Sequence, residues 1–459
     1  MLLKKNNFYF LTLVSIFFSL LVACGSDNTP TDDTSPNDDD PDPSGFLGEL
    51  IWVKTFGGSN VDQAVGVVES NDGGFVVLGS TNSNDGDVDD RTSAEEYDYW
   101  VIKINTNGEK QWSRSYGGSN DETATDINKT SDGGYIISGY SRSNDGDVSG
   151  NEGFHDYWIL KIDGSGNKLW DKNYGFNGSD KGFGVIQTKD GGYFATGFLD
   201  IDESGGQGND NRVLHSLGDY WGIKMDANGD RIWRRYFGGS HVDESKDVLQ
   251  TSDDGFLLIG VSESTDFDIT DPRGGNDMWI VKVSEYGDLM WQKSFGGSEI
   301  DFGYAVTHTN DGHFIIAGDT RSSDQDVSTS YGNADVWVVK FNASNGGLIW
   351  EKSYGGSAFE SARGITSLSD GTFLITGNTR SENGDVSNNY GLNDAWAIII
   401  NNDGELLLER SIGGTNLDFA NKAIETSNNQ LIIVGNTESS DNDISLNKGK
   451  KDFVIIKMK

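Results

Sequence analysis

Short runs of alternating polar and apolar residues, separated by Gly- and Asn-rich turns, repeat along this chain from about Ile51 to Lys459. In one unit, Thr123 to Lys129 (TATDINK) alternates as a half-buried strand does, and Ser131-Asp132-Gly133-Gly134 is a tight-turn signal. Tyr135 to Tyr140 (YIISGY) predicts a second strand, and a polar loop, Ser141 to His155, follows. Tyr157 to Ile162 (YWILKI) predicts a third strand, Asp163 to Asn167 turns the chain, and Lys168 to Tyr174 (KLWDKNY) predicts a fourth.

The unit recurs roughly every 60 residues. Its marker is a Gly five residues after a Trp, at Gly57, Gly117, Gly175, Gly238, Gly296, Gly355 and Gly413. The partner Gly follows in every copy except the third, where Phe176 stands instead. All 12 Trp fall at two repeat positions. Trp52, Trp112, Trp170, Trp233, Trp291 and Trp350 form one set, with Leu408 as its seventh member. Trp100, Trp158, Trp221, Trp279, Trp337 and Trp396 form the other, with Val454 as the seventh. Four short antiparallel strands in each of seven units predict an all-β, seven-bladed β-propeller. A β-solenoid would need shorter, more uniform rungs. The Trp sets fit packing between blades, each burial contributing roughly 1.5–3 kcal/mol, while an aromatic glycan platform is the sharper reading.

The propeller opens with a lone fourth-type strand, Leu50 to Phe56, and ends on a third-type strand, Phe453 to Lys459. The N-terminal strand therefore completes the seventh blade and removes an open sheet edge. The expected division is a signal over 1–23, a tether over 24–48 and the propeller over 49–459.

Three motifs carry a family resemblance: GGSNVD at Gly57 to Asp62, GGFVVLGST at Gly73 to Thr81, and DYWVIKI at Asp98 to Ile104. The repeat resembles the bacterial β-propeller repeat sometimes called the SBBP repeat. The resemblance implies a fold and little chemistry. An acidic S-x-[DN]-x-D-[VI] loop stands where that family often carries Phe-Pro.

The N-terminus reads differently. Lys4 and Lys5 precede an apolar run, Phe8 to Ala23 (FYFLTLVSIFFSLLVA), too short for a typical membrane span and typical of a secretory signal. It ends in Leu21-Val22-Ala23-Cys24, which resembles the lipobox of bacterial lipoproteins. That resemblance implies that Cys24 is acylated after cleavage and that the membrane is a partner through the lipid. Cys24 is the single Cys, so no disulfide forms within the chain. Gly25 to Ser44 is rich in Asp and Pro and cannot bury a core, so it reads as a self-repelling tether. Acids just after the Cys resemble the surface-export signal of Bacteroidetes lipoproteins, which implies the outer membrane, facing the exterior.

The formal net charge of −37 disfavours nucleic acid, whose binding rests on Lys and Arg at phosphates, and suits a soluble surface that attracts cations or basic partners. Repeated acids gather on one expected face. One set enters the innermost strand: Asp62, Glu122, Asp180, Asp243, Asp301, Glu360 and Asp418. A second precedes the third-strand Trp position: Asp98, Asp156, Asp219, Asp277, Asp335, Asp394 and Asp452. A third is a loop pair: Asp85 and Asp87, Asp145 and Asp147, Asp266 and Asp268, Asp324 and Asp326, Asn383 and Asp385, Asp441 and Asp443. D-x-D in a Gly/Ser loop suits Ca2+, which takes several oxygen ligands, although no EF-hand pattern is present. The same Asp residues can instead cap turns by accepting backbone N–H groups.

Catalytic patterns are absent from the sequence: no G-x-S-x-G, no HExxH, and five His at unmatched positions. A glycosidase needs only two carboxylates. The third copy is the irregular one, and its Asp200, Asp202, Glu203 and His215 are the residues for a single local site, or for a tolerated surface insertion. The expected function is a lipid-anchored binding or scaffold module for a protein or glycan. The alternatives are an extracellular carbohydrate-active protein, glycan-binding or hydrolytic, and a structural envelope protein.

Overall fold

The computed structural model describes residues 46, 48–91, 95–209 and 215–459. The expected signal, Cys24 and most of the tether lie outside the described residues. Among the described residues no helix is long and apolar enough to cross a membrane.

Seven four-stranded antiparallel sheets form the seven-bladed propeller. Blade two shows how closely the pattern sets the elements: its strands are Glu122–Lys129, Tyr135–Ser141, Asp156–Ile162 and Lys168–Tyr174. Between the first two, Gly133 takes φ +82°, a left-handed conformation that only Gly adopts freely, and its amide closes the turn on the Thr130 carbonyl. Blades one to six occupy 62–116, 122–174, 181–237, 243–295, 301–354 and 360–412.

Blade seven holds three strands from the C-terminus and one from the N-terminus. Leu50–Phe56 pairs antiparallel with Asp452–Met458, with Val53 opposite Ile456 and Phe56 opposite Phe453. The expected closure is therefore present. Packing begins before residue 49, because Phe46 is buried in the blade-seven core with Ile399, Leu408 and Ile456.

The core lies between blades. Each hydrophobic cluster mixes two neighbours, as where Trp100 of blade one packs on Phe453 of blade seven. The third-strand Trp are all fully buried, from Trp100 at 0% exposed to Trp396 at 2%. That burial excludes them as a glycan platform. The fourth-strand Trp are half-buried, and each lies against a turn Gly one unit onward: a Cβ on Gly108 would lie 3.3 Å from the Trp52 ring.

Candidate functional site

Every innermost strand carries a register shift at its fourth residue, or its third in blade three. A bulge leaves one residue unpaired and re-aims its side chain. The bulged residues are Val65, Thr125, Phe183, Lys246, Tyr304, Arg363 and Asn421, one per blade. All seven line one axial cavity of 490 Å³, within the range of small-molecule sites. These side chains are unlike one another, whereas the position before each of them is always Ala, Gly or Ser.

Charge in the cavity is equally unrepeated. Lys422 of blade seven reaches across to Asp126 of blade two, where its ammonium donates to Asp126 Oδ1. Asp126 Oδ2 accepts from Asn128 Nδ2 at 2.9 Å and from the Val185 amide of blade three at 3.3 Å. Asp247 of blade four does the same work for blade five, accepting from the Val306 amide at 2.9 Å. Burial pushes Asp247 up to about 6, opposed by Lys422 and assisted by Asp126. Burial pulls the Lys422 ammonium down, but Asp126 and Asp247 outweigh it and hold it above the usual lysine value. Lys422 nonetheless keeps 37% of its side-chain surface accessible, because it borders the cavity.

Two cations stand over the cavity aromatics. The Arg363 guanidinium lies 4.3 Å from the Tyr304 ring centre and the Lys246 ammonium 4.3 Å from that of Phe183. Lys246 also pairs with Glu244 at 2.5 Å. The arrangement offers a ligand aromatic surface, a guanidinium fork and a lysine within one enclosure. Both cavity carboxylates accept from a backbone amide of the next blade, and Asp126 also from Lys422.

The loop acids grip the chain that enters their own blade. Asp85 Oδ1 accepts from the Ser59 amide at 2.7 Å and Asp87 Oδ2 from the Gly57 amide at 3.0 Å. Asp145 and Asp147, Asp266 and Asp268, Asp324 and Asp326, and Asp441 and Asp443 repeat this on their Gly and Ser or Thr amides. In blade six Asn383 serves Ser357 at 2.8 Å and Asp385 serves Gly355 at 3.0 Å. Among the described residues no group of three or more His, Cys, Asp or Glu is placed to hold a metal ion.

In the third blade a one-turn helix, Ile201–Ser204, replaces the acidic loop. Asp200 is its N-cap, accepting from the Glu203 amide, and Asp202 accepts from the Leu217 amide at 3.2 Å. His215 pairs with Asp219, with Nδ1 2.5 Å from Oδ2. Burial pushes Asp219 up to about 7, and His215 opposes that rise. His215 thus pairs with one of the repeated acids, while Asp200, Asp202 and Glu203 lie together at the one-turn helix.

The opposite face carries a device that sequence reading missed. A third-strand Lys pairs with the Asp of the first turn in five blades: Lys103 with Asp72 at 2.5 Å, Lys161 with Asp132 at 2.9 Å, Lys224 with Asp190 at 2.9 Å, Lys282 with Asp253 at 3.0 Å and Lys340 with Asp311 at 2.6 Å. The Lys103 bond, then that of Ser70, holds Asp72 well below the usual carboxylate range. The signal was the Lys of the D-Y-W-V-x-K motif, which recurs at the same period as the turn Asp. Blade six breaks it with Ile399, and blade seven with Asn428 in place of the acid.

No family model and no curated protein sequence matches the chain. Solved structures resemble it at low identity. The WD40 domain of Pan2 from Neurospora crassa is 9% identical, with a TM-score of 0.47 over 86% of this chain and 88% of that one. A protein of unknown function from Dyadobacter fermentans is 10% identical, with a TM-score of 0.44 over 90% of this chain and 98% of that one. A quinohemoprotein alcohol dehydrogenase from Comamonas testosteroni is 9% identical, with a TM-score of 0.45 over 89% of this chain and 76% of that one.

Proposed function

We propose that this chain is a binding module whose ligand enters the axial cavity, and that lipid on Cys24 holds it on the outer membrane, facing the exterior. One observation carries the binding reading. In a ring whose Trp, marker Gly and junction acids recur, the seven bulged residues that line the cavity differ from blade to blade. Side chains that served only the repeat would be alike, as the buried Trp are. A ligand is the element that breaks the symmetry. Glycan binding is the second reading, favoured by Phe183 and Tyr304 beside polar groups at the cavity.

The test is a glycan array and a protein pull-down with the full chain, run beside Lys246→Ala with Arg363→Ala. Retention by the wild-type chain that the double variant loses supports the cavity as the site. Equal retention by both removes it. The anchor is tested by Cys24→Ser, which should abolish lipid labelling and release the mature chain to soluble fractions.

A further inference from the structure

At six of the seven blade junctions two carboxyl groups, one from each blade, flank the same Gly, and at the seventh Asp156 alone lies against Gly175. A Cβ built on Gly57 would lie 2.6 Å from Asp452 Oδ1 of blade seven and 2.6 Å from Asp62 Oδ2 of blade one. On Gly355 it would lie 2.7 Å from both Asp335 Oδ1 and Glu360 Oε2, and on Gly413 2.5 Å from Asp394 Oδ1 and 2.9 Å from Asp418 Oδ2. The remaining pairs are Asp98 with Glu122, Asp156 with Asp180, Asp219 with Asp243, and Asp277 with Asp301.

The two members are not equivalent. Except at Asp243, whose Oδ1 has no donor, the blade-entry acid has donors on both oxygens: Asp418 accepts from the Gly414 amide at 2.8 Å, from Ser439 Oγ at 2.7 Å and from the Thr437 hydroxyl. Its partner is half served, except at Asp277, whose Oδ1 accepts from the Gly274 amide at 3.1 Å. Asp394 Oδ2 accepts from the Tyr390 amide at 2.7 Å, while Oδ1, fully buried, has no donor. Oδ1 is likewise without a donor on Asp98, Asp156, Asp219, Asp335 and Asp452. A buried carboxylate oxygen with no donor, aimed at a second carboxylate, is costly. A proton between the two removes both problems, since a protonated carboxyl donates.

We propose that the blade junctions are proton-sharing carboxyl pairs, which make the ring a repeated clamp that tightens in acid and loosens as pH rises through neutrality. Burial is the first cause in each case and pushes Asp394 up to about 7, with Asp418 and Asp443 assisting. It likewise pushes Glu122 up to about 7 and Asp180 up to about 8, and the partner carboxylate adds to both. Asp418 is raised by burial against its three donors, with Asp441 adding to the rise. The charged groups facing the Asp394–Asp418 pair are therefore Asp441 and Asp443. Arg380, nearby, is turned to Asn393 Oδ1 and the Phe359 ring. No base among these groups neutralises this pair, unlike Asp98, which Arg91 holds at 2.6 Å.

The sign follows from linkage. A carboxyl whose folded value exceeds its unfolded value binds a proton in the folded state that the unfolded chain has released. Stability from these pairs is therefore full below about pH 4 and is lost as pH rises to about 7. The experiment is thermal unfolding of the full chain at pH 5, 6, 7 and 8 at matched ionic strength, beside Asp394→Asn. The amide reproduces the donor of the protonated acid. The wild-type melting temperature should fall toward pH 8. Asp394→Asn should raise it by a few degrees at pH 8, not at pH 5, and flatten the slope. Infrared spectra of the wild-type chain at pH 7 should show the carbonyl stretch of protonated carboxyls, weakened in Asp394→Asn with Asp156→Asn. Equal loss of stability at pH 5 and pH 8 in the Asn variant overturns the proposal. So does the absence of that stretch, or recovery of the pH 8 melting temperature by Ca2+ but not by acid, which would assign the pairs to a cation.

Discussion

Leu408 seats its δ-methyl group 3.1 Å from where a Cβ on Gly48 would stand, although Gly48 precedes the first strand and Leu408 lies in blade six. In the other six blades a fourth-strand Trp makes this contact with the Gly of the next third-to-fourth-strand turn. Gly48 is thus the turn residue of blade seven, delivered by the N-terminus, and the seventh Trp position became Leu where the turn is supplied from elsewhere. Gly48 has φ +68°, so a β-branched residue there is strained and also meets Leu408. Gly48→Val should destabilise the ring by about 1–3 kcal/mol, read as a lower melting temperature. Deleting 46–56 should cost far more, because it opens the sheet edge of Asp452–Met458. An unchanged melting temperature for the deletion would show that the termini do not seal the ring.

Lys422 supplies the cation between Asp126 and Asp247. Lys422→Met should leave two cavity carboxylates facing each other and cost about 1–3 kcal/mol, toward the lower end because Lys422 is 37% exposed. Adding Asp126→Asn should recover part of that loss in a double-mutant cycle. Additive losses would show that the two residues are not coupled.

Gly57 is pinned between Asp452 and Asp62 at a distance no side chain tolerates. Gly57→Ala must push the pair apart and should cost on the order of 1–3 kcal/mol. Gly150, with nothing within 4 Å of a built Cβ, is the control: Gly150→Ala should stay within about 0.5 kcal/mol. Equal melting temperatures for the two variants would refute the close approach.

The fold was legible because its signals recur. Six Trp–Gly spacings, six first turns that carry an Asp and the unmatched strand Leu50 to Phe56 each point to the same ring, and the strands fall within a residue of their expected bounds in blade two. The cavity was not legible for the same reason. Its residues, Phe183, Lys246, Tyr304 and Arg363, sit at the position that does not repeat, and a search for repeated chemistry passes over them. The bulge that turns them inward leaves no mark in a period-2 pattern. The acids were seen, but sequence could not tell Asp85, which serves an amide of its own blade, from Asp98, which meets a carboxyl across a junction.

The loop acids separate two chemistries. Asn383 does in blade six what Asp85 does in blade one, so amide capping needs an oxygen and not a charge. If capping is all these loops do, Asp145→Asn with Asp147→Asn should leave the melting temperature within about 0.5 kcal/mol of stability. Calcium held by the loops would instead raise the wild-type melting temperature more than Mg2+ does at equal ionic strength, and the double variant would lose that rise.

The two faces of the ring set opposite limbs of the pH profile. On the Lys–Asp face, Lys103 and Ser70 hold Asp72 below its usual range, and Asp132, Asp190 and Asp311 are held low against their burial by hydroxyls, amides and Lys. A carboxyl with a depressed folded value contributes stability above its unfolded value, which is lost as pH falls through the folded one. These acids are partly exposed, so screening reduces their contribution. That limb therefore weakens the fold only below about pH 4. The junction acids have raised values and withdraw stability as pH climbs from about 4 to about 7. The melting temperature should accordingly peak near pH 4–6, on the acid side of neutrality. Lys103→Met with Lys161→Met should lower the melting temperature above about pH 4 and flatten the acid limb, leaving the slope between pH 5 and pH 8 unchanged, because it frees Asp72 and Asp132 and touches no junction. Asp394→Asn should flatten the alkaline limb alone. A maximum at pH 7–8, or either variant changing the slope of both limbs, would show that the two faces do not titrate separately.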